Sequence, residues 1–304
     1  MQSISYYLKN PSSFFESLVI KFNFLFPDKL YLKILFRLKM GYRLNLKNPR
    51  TFNEKLQWLK LYDKKPEYTT MVDKYDAKKY VANIIGEEYI IPTIGVWDKF
   101  EDINFDNLPN QFVLKTTHGG GGSGVVICKD KTKFNIDDCK KRINSSMKHN
   151  IYKSLREWPY KNIKPRIIAE EYIGTGVDYI NDYKLFCFNG EPKAILIANG
   201  RFVEPKTYFD YFDMDFNHFP FRQGGPNYHS KIEIPPLFEE MKDIARKLSK
   251  GLAHVRIDLY EFKGKLKFGE ITFFDSSGFE KFEPEEWATI FGDWIQLENI
   301  NNTK

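Results

Sequence analysis

A lysine followed by a glycine-rich loop is the feature of this sequence that most directly suggests chemistry. The apolar run 112–114 ends at Lys115, five of the six residues 119–124 are glycine, and a second apolar run follows at 125–128. A loop without Cβ atoms can bring backbone N–H groups against an anion and can close as a lid. Because the lysine precedes the loop and a strand follows it, the segment is neither a Walker A loop nor a dinucleotide-binding fingerprint. We predict a phosphate-binding β-hairpin; the alternative is a flexible surface turn.

Two carboxylates lie in a second pair of apolar runs near the C-terminus. Asp258 falls in the run 254–262 and Glu270 in the run 265–273, with the turn signal Lys263-Gly264 between them. A carboxylate in an apolar setting needs a strong partner, and Mg²⁺ prefers carboxylate, phosphate and water oxygens. The pair is therefore a candidate magnesium site; two capping or ion-paired acids are the alternative.

An arginine shares the first of these runs. Arg256 precedes Asp258 by two residues, so both side chains point to the same face of a strand. A permanently charged guanidinium in this place suits the stabilisation of a transferred phosphoryl group. The other interpretation is a salt bridge that only orients Asp258.

The surrounding elements indicate an α+β protein with several layers. Helical patterns cover 51–82, a segment from about Asp73 to Gly86, and 235–252, and Thr51 stands three residues before Glu54 as in a capping box. The apolar runs predict strands at 89–91, 112–114, 125–128, 167–171, 183–188, 193–198, 254–262 and 265–273. The pair Asn189-Gly190 predicts a hairpin turn. Such interleaved helices and antiparallel hairpins differ from the regular βαβ alternation of a Rossmann domain.

Composition places the chain among ordinary globular proteins. Its 304 residues suggest about two domains or lobes, and three cysteines without a CxxC pair suggest reduced thiols in a cytosolic protein. We find neither a signal-peptide pattern nor an apolar run long enough to span a membrane, so we expect a soluble or at most peripheral protein. The net charge of +6 is concentrated in residues 1–50. This distribution argues against a nucleic-acid-binding core, because duplex binding needs basic residues across the docking face.

The basic N-terminal end also has helical periodicity. Apolar residues recur at Phe14, Phe15, Leu18, Phe22 and Leu25, and again at Leu30, Ile34, Leu35 and Leu38 with Lys33 and Arg37 opposite. Two short amphipathic helices are predicted. Their apolar faces either pack on the protein core or rest on an anionic membrane or a lipid-linked polyanion. We favour packing on the core, because apolar faces of this kind usually meet protein.

Four segments in order along the chain resemble the ATP-grasp fold. They are 72–74 with the helix after it and 91–94, the hairpin around Lys115, the stretch 168–174, and the acidic pair 256–259 and 269–272. Together they cover roughly residues 70–285. The segments 48–58, 115–120 and 273–287 further resemble the TupA-like ATP-grasp family, which is associated with teichuronopeptide and other surface-polysaccharide biosynthesis. The resemblance implies an ATP-grasp fold of antiparallel sheets with a glycine-rich β-hairpin lid and a helical N-terminal extension.

The resemblance also implies sites for ATP and Mg²⁺. The residues concerned are Lys74 and Lys115 with Gly120, Gly121, Gly122, Ser123 and Gly124 for the phosphates, Glu170, Glu171, Tyr172 and Ile173 for adenine, Asp178 or its competitor Asp182 for ribose, and Asp258, Glu270 and Thr272 for magnesium. Arg256 and Lys115 are the expected catalytic residues. Lys74 can instead be an exposed lysine at a helix start, and 170–173 a simple edge strand. Many ATP-grasp enzymes have Asn where this chain has Thr272, so Asp275, Ser276 or Ser277 are candidates to complete the magnesium shell.

The reaction implied is ATP-dependent carboxylate–amine ligation through an acyl-phosphate. The substrates would be a small molecule or glycan bearing a carboxylate, from a cell-surface polysaccharide precursor, and an amino acid or peptide amine. Candidates to bind the acidic substrate are His118, Lys184, Arg201 and Arg222, although surface placement is an alternative for each. A sugar kinase on the same fold and a non-catalytic accessory protein remain alternatives.

We expect four regions along the chain: a basic helical region 1–70, a linking segment 71–110, a lid lobe 111–175 and a C-terminal lobe 176–304 with the metal site. We expect a cytoplasmic protein, which is peripheral at the inner face of the membrane if the basic helices touch lipid.

Overall fold

The computed structural model describes residues 11–122, 124–174, 181–199, 207–228 and 230–297. The helices are α1 (Pro11–Lys21), α2 (Asp28–Met40), α3 (Phe52–Tyr62), α4 (Glu67–Val72), α5 (Asp76–Ile85), α6 (Ile136–Met147), α7 (Ile151–Leu155), α8 (Phe238–Ser249) and α9 (Glu286–Asp293). The strands are β1 (Thr93–Trp97), β2 (Phe112–Thr116), β3 (Val125–Cys128), β4 (Ile167–Glu171), β5 (Asn181–Phe188), β6 (Glu191–Asn199), β7 (Tyr208–Phe212), β8 (His254–Phe262) and β9 (Lys265–Thr272). The α+β prediction is confirmed. Ser123, Asp178 and Arg201 lie outside the described residues.

The first sheet carries the glycine-rich hairpin. Its strand order is β1-β4-β2-β3, and each neighbouring pair is antiparallel. Alternation along β2 buries Phe112, Leu114 and Thr116 on one face. Lys115 therefore points to the other face, opposite Val125 of β3 and Ile168 of β4.

The second sheet carries the acidic pair. Its order is β7-β6-β5-β8-β9, again antiparallel throughout. Asp258 faces Glu270 directly across the β8–β9 ladder, and Lys184 of β5 faces Asp258 from the other side. Helix α8 packs on this sheet through its buried residues, which include Met241, Ile244 and Leu248.

The helical prediction for 51–82 is wrong in its continuity. The segment forms three helices, α3, α4 and α5. Pro66 lacks an amide hydrogen and restricts the residue before it, which separates α3 from α4. Asp73 is extended, and its Oδ1 accepts hydrogen bonds of 2.9 Å from the backbone N–H groups of Tyr75 and Asp76. Because that side chain competes with the helix for backbone donors, α4 ends there and α5 begins.

The predicted strand at 89–91 is also wrong. Residues Glu87–Tyr89 form a 3-10 turn, and the strand begins two residues beyond the predicted segment, at Thr93. Pro92, which cannot donate to a strand ladder, separates the two. Strand β7 and helices α6, α7 and α9 were not predicted.

The N-terminal helices form as predicted but bury a different face. Helix α2 buries Tyr31, Leu32, Leu35 and Phe36, whereas Leu30 is exposed. The capping box of α3 is present, with Thr51 Oγ1 accepting from Glu54 N–H. None of the helices within the described residues is both long and apolar enough to cross a membrane.

Candidate functional site

Lys115 shares a buried carboxylate with a second lysine. Glu170 of β4 contacts Lys115 through Oε2 and Lys78 Nζ through Oε1, the latter at 2.7 Å. Lys78 also donates to the carbonyl of Ile91 at 2.6 Å. Burial alone raises the pKa of Glu170, but Lys115 and then Lys78 outweigh it, so the net pKa is lowered and the carboxylate stays ionised. Two ammonium groups against one carboxylate leave a net positive charge, which suits a bound phosphate chain.

Sequence reasoning did not single out Lys78. It placed the first phosphate lysine at Lys74, four residues earlier, where the chain is between helices. Helical spacing does not link the two lysines, because Lys74 lies before the start of α5. The break at Asp73 and the start of α5 direct Lys78, rather than Lys74, toward Lys115.

Lys74 instead joins the two sheets. Its Nζ donates to the carbonyl of Gly119 at the foot of the lid at 2.8 Å, and lies 3.2 Å from Glu270 Oε2 on β9. Its backbone N–H donates to Thr117 at 2.9 Å. The predicted alternative of an exposed helix-start lysine does not apply, because the side chain is 13% exposed and paired. The lysine lies between the lid and the acidic strands.

The predicted metal ligands converge on Arg256. The guanidinium donates from Nε to Asp258 Oδ1 at 2.6 Å and from Nη2 to Glu270 Oε1 at 3.1 Å. Nη1 contacts Asp275, and Thr272 Oγ1 donates to Glu270 at 3.1 Å. The orienting salt bridge to Asp258 is thus present, and Thr272 and Asp275 lie in the same cluster as the two predicted ligands.

Lys184 and Asp182 complete this cluster. Lys184 Nζ lies 2.6 Å from Asp258 Oδ2 and 2.7 Å from Asp182 Oδ2. Four carboxylates therefore meet three cations, because Lys74, Lys184 and Arg256 face Asp182, Asp258, Glu270 and Asp275. Burial raises the pKa of Glu270, but Lys74, Arg256 and Lys184 outweigh it and hold the pKa well below its usual range. By formal charge, the cluster is net negative.

This donor set fits Mg²⁺ in a phosphate site. Within the described residues no group of three or more acidic, His or Cys side chains is arranged to hold a metal ion by itself. Mg²⁺ at nucleotide sites usually takes one or two carboxylates and obtains its other ligands from phosphates and water. The facing pair Asp258 and Glu270 supplies that number of carboxylates.

The segment 170–173, which is predicted to receive adenine, lies partly in β4 and partly beyond its end. Glu170 is buried and held by lysines, while Glu171 is exposed and its N–H donates to Pro92 at 3.1 Å. The ladder of β4 ends at Glu171, and Tyr172 and Ile173 continue beyond both neighbouring strands. β4 lies inside the sheet, so the edge-strand interpretation is wrong. A backbone edge for adenine is therefore expected at Tyr172 and Ile173.

The glycines of the lid serve two different purposes. At the tip, Gly121 and Gly122 have φ of +63° and +74°, in the left-handed region that favours glycine. At the foot, a Cβ on Gly119 or Gly124 would lie 2.4 Å from Thr116 Oγ1. The foot thus requires glycine for close packing, whereas the tip requires it for backbone conformation.

Comparison with known proteins identifies the family of this chain. A sequence model of the family described as TupA-like ATPgrasp matches residues 54–296. The chain belongs to the TupA-like ATP-grasp family. No curated protein matches it at a significant level.

Solved ATP-grasp structures are similar to this TupA-like protein at low identity. D-alanine–D-alanine ligase from Helicobacter pylori is 14% identical, with a TM-score of 0.46, over 83% of this chain and 68% of that one. The Bacillus anthracis ligase, complexed with ATP, is 18% identical, with a TM-score of 0.38, over 67% and 53%. The ATP-grasp ligase PsnB, complexed with minimal precursor, Mg and ADP, is 13% identical, with a TM-score of 0.40, over 72% and 57%. The chain thus spans between about half and two thirds of their lengths.

Helix α3, which begins within the TupA-like segment 48–58, binds the turn that follows β9. One face of α3 presents Asn53, Gln57 and Lys60, spaced by four and three residues. Asn53 Nδ2 donates to the Gly278 carbonyl at 3.1 Å, and Gln57 Nε2 and Lys60 Nζ donate to the Ser277 carbonyl at 3.0 and 2.8 Å. This turn contains Asp275, which contacts Arg256. The N-terminal region therefore supports the acidic cluster from behind.

Lys60 also belongs to a buried pair beneath the turn. Burial lowers the pKa of Lys60 to about 7 and raises the pKa of Glu157. Ser277 Oγ lies 2.7 Å from Lys60 Nζ. Ser277 has a φ of +54°, a strained conformation for a residue other than glycine, so its neighbours must hold it in place.

Three of the four candidates for substrate binding lie within the described residues, and they have different environments. Lys184 belongs to the acidic cluster. His118 is buried, and its Nε2 lies 3.2 Å and 3.1 Å from the carbonyls of Ser146 and His149, so it serves the core. Arg222 is exposed and pairs with Glu283 at 2.9 Å. Neither His118 nor Arg222 is drawn into the cluster around Arg256.

Proposed function

We propose that this TupA-like protein is an ADP-forming carboxylate–amine ligase that uses ATP and Mg²⁺. The observation that carries the proposal is that the chain forms two ion-pair clusters with opposite excess charge. In the first cluster, the two positive charges of Lys78 and Lys115 exceed the one negative charge of their shared carboxylate. In the cluster around Asp258 and Glu270, the carboxylates outnumber the cations. ATP presents phosphates to the first and, with magnesium, positive charge to the second. Lys74 connects the foot of the lid to Glu270 of the second cluster.

Most of the catalysis in this proposal is positioning and charge neutralisation. Lys78 and Lys115 hold the phosphates, and the lid of Gly119–Gly124 closes over them. The backbone at Tyr172 and Ile173 receives adenine. Asp258 and Glu270 would hold magnesium, which would supply charge neutralisation at the phosphates. A substrate carboxylate oxygen attacks the γ-phosphorus, ADP leaves, and an amine then displaces phosphate from the acyl-phosphate to form an amide.

Arg256 has two duties in this scheme. Its Nε and Nη2 orient Asp258 at 2.6 and 2.7 Å. Guanidinium groups also present several donors in a fixed plane, so the same side chain can stabilise the oxyanion of the tetrahedral intermediate. Thr272 donates to Glu270 and thereby fixes the orientation of that carboxylate.

We further propose that the carboxylate belongs to an acidic cell-surface polysaccharide precursor and the amine to an amino acid or peptide. The support is the association of the TupA-like family with surface-polysaccharide biosynthesis. Use of ATP and a precursor made inside the cell agrees with a cytoplasmic location.

Hydroxylamine trapping tests the reaction. Purified protein is incubated with ATP, Mg²⁺, hydroxylamine and a panel of acidic sugars, each with and without amino acids. A hydroxamate formed together with ADP is expected, because hydroxylamine intercepts an acyl-phosphate and leaves a phosphate ester intact. A stable phosphosugar without hydroxamate would instead indicate a sugar kinase. AMP and pyrophosphate would contradict the proposed route.

A further inference from the structure

An apolar surface projects from the turn between α1 and α2. We call it the hairpin tip and define it by Phe22, Phe24, Leu25 and Leu30 with Lys21, Lys29 and Lys33. Phe24 is 74% exposed and Leu25 63% exposed. Large apolar side chains grouped in this way mark an interaction surface, whereas single exposed ones need no explanation. The prediction that this apolar face packs on the core is therefore wrong at the tip.

The other side of the same hairpin is firmly attached to the protein. Tyr31 OH donates to the Ser154 carbonyl at 2.7 Å, and Asp28 lies 2.9 Å from Arg156 Nε. The Arg156 guanidinium also stacks 4.0 Å from the ring centroid of Tyr31. With α2 anchored through this side, the tip cannot reach the core without breaking these buried contacts.

The charges around the tip are positive. Lys21, Lys29 and Lys33 are exposed, and Lys29 and Lys33 lie one helical turn apart on α2. Residues 11–50 contain two acids, Glu16 and Asp28. Both acids already form ion pairs within the protein, Glu16 with Lys39 at 2.5 Å and Asp28 with Arg156. The tip thus presents aromatic and aliphatic side chains within a rim of lysines.

We propose that the hairpin tip docks the protein on an anionic phospholipid bilayer. Phe and Leu side chains enter the boundary between headgroups and acyl chains, while lysines extend along their aliphatic stems to reach lipid phosphates. Each lysine near an anionic leaflet adds attraction that falls off within a Debye length. A second copy of the chain is a poorer occupant, because two identical tips would bring six lysines together. The proposal does not depend on the ligase reaction.

Vesicle sedimentation of the full chain tests the proposal. The probes are vesicles of phosphatidylcholine alone and vesicles with roughly equal phosphatidylcholine and phosphatidylglycerol. Binding is expected to the anionic vesicles and to weaken as salt rises. The double variant Phe24→Ser/Leu25→Ser should bind at least about tenfold more weakly, since two apolar side chains no longer enter the bilayer. Lys29→Gln and Lys33→Gln should each lower the partition coefficient by about fivefold.

Matched exposed residues provide the controls. Ile234→Ser/Ile136→Ser removes two exposed apolar side chains elsewhere, and Lys133→Gln and Lys141→Gln remove lysines that are 85% and 78% exposed. These variants should bind as the unmodified chain does. Equal loss in tip and control variants, or no binding of the unmodified chain to anionic vesicles, would overturn the proposal. Conversion of a dimer to a monomer by the tip variant in gel filtration, without lipid binding, would assign the surface to a second copy.

Discussion

The two buried charge clusters differ in which sign is in excess. On the first sheet, one carboxylate, Glu170, is shared by Lys78 and Lys115. On the second sheet, three cations meet four carboxylates centred on Asp258. Both clusters use cross-strand neighbours to stay paired, which limits the cost of burying charge. In the proposed function, the first cluster attracts the phosphates and the second attracts the metal ion.

Removal of Asp258 from the second cluster should have the largest effect on turnover. Asp258→Asn loses a magnesium ligand and the acceptor of both Arg256 and Lys184, so turnover to ADP should fall by roughly 100-fold or more. The measurement is ADP release at saturating ATP over a range of magnesium concentrations. Asp243→Asn, an exposed acid on α8, is the control and should leave turnover unchanged. Normal turnover by Asp258→Asn at ordinary magnesium would remove the acidic cluster from the reaction.

Removal of a lysine from the first cluster should mainly weaken the binding of ATP. Lys78→Ala and Lys115→Ala each lose a charge facing the phosphates, and we expect the KM for ATP to rise by at least about tenfold. Lys79→Ala changes the exposed neighbour on α5 and serves as the control. If Lys78→Ala behaves like Lys79→Ala while Lys74→Ala raises the KM, then Lys74 is the phosphate lysine and our assignment of Lys78 is wrong.

The first cluster should also make a pH-dependent contribution to stability. Its two lysines hold the folded pKa of Glu170 below the ordinary value of 4.5. A group with a lowered folded pKa contributes stability above its unfolded pKa and loses it as pH falls through the folded pKa. Glu170→Gln should therefore reduce the free energy of unfolding by about 1–3 kcal/mol at neutral pH.

Urea unfolding at several pH values measures this contribution. The difference between the unmodified chain and Glu170→Gln should shrink as pH falls below 4.5. Glu171→Gln, on the exposed neighbour, should show little difference at any pH. A constant difference for Glu170→Gln down to acidic pH would mean that its charge is not what stabilises the cluster.

Sequence reasoning predicted the second cluster better than the first. The hairpin β8–β9 follows from alternating apolar residues and a tight turn, and Lys263 and Gly264 both have positive φ as such turns require. Strand register then places Asp258 opposite Glu270. Lys78 could not be found in this way, because its approach to Lys115 depends on where a helix packs.

The N-terminal region shows the same limit. Helical periodicity predicted α1 and α2, since spacing alone reveals an amphipathic helix. It could not show that Phe24 and Leu25 remain exposed, because the same pattern describes a face that meets protein and a face that meets lipid. The contacts of Asn53, Gln57 and Lys60 with the turn after β9 were equally hidden, since more than 200 residues separate the partners in each pair.

Calorimetric titration of ATP, with and without magnesium, tests the central claim that the two clusters bind different parts of one ligand. We predict that magnesium tightens ATP binding to the unmodified chain by at least about tenfold. Lys78→Ala should weaken binding with and without the metal, whereas Asp258→Asn should remove only the increment due to magnesium. Two results would contradict the account: an ATP affinity that does not change with magnesium, or two variants that lose the same part of the affinity, metal-independent or magnesium-dependent.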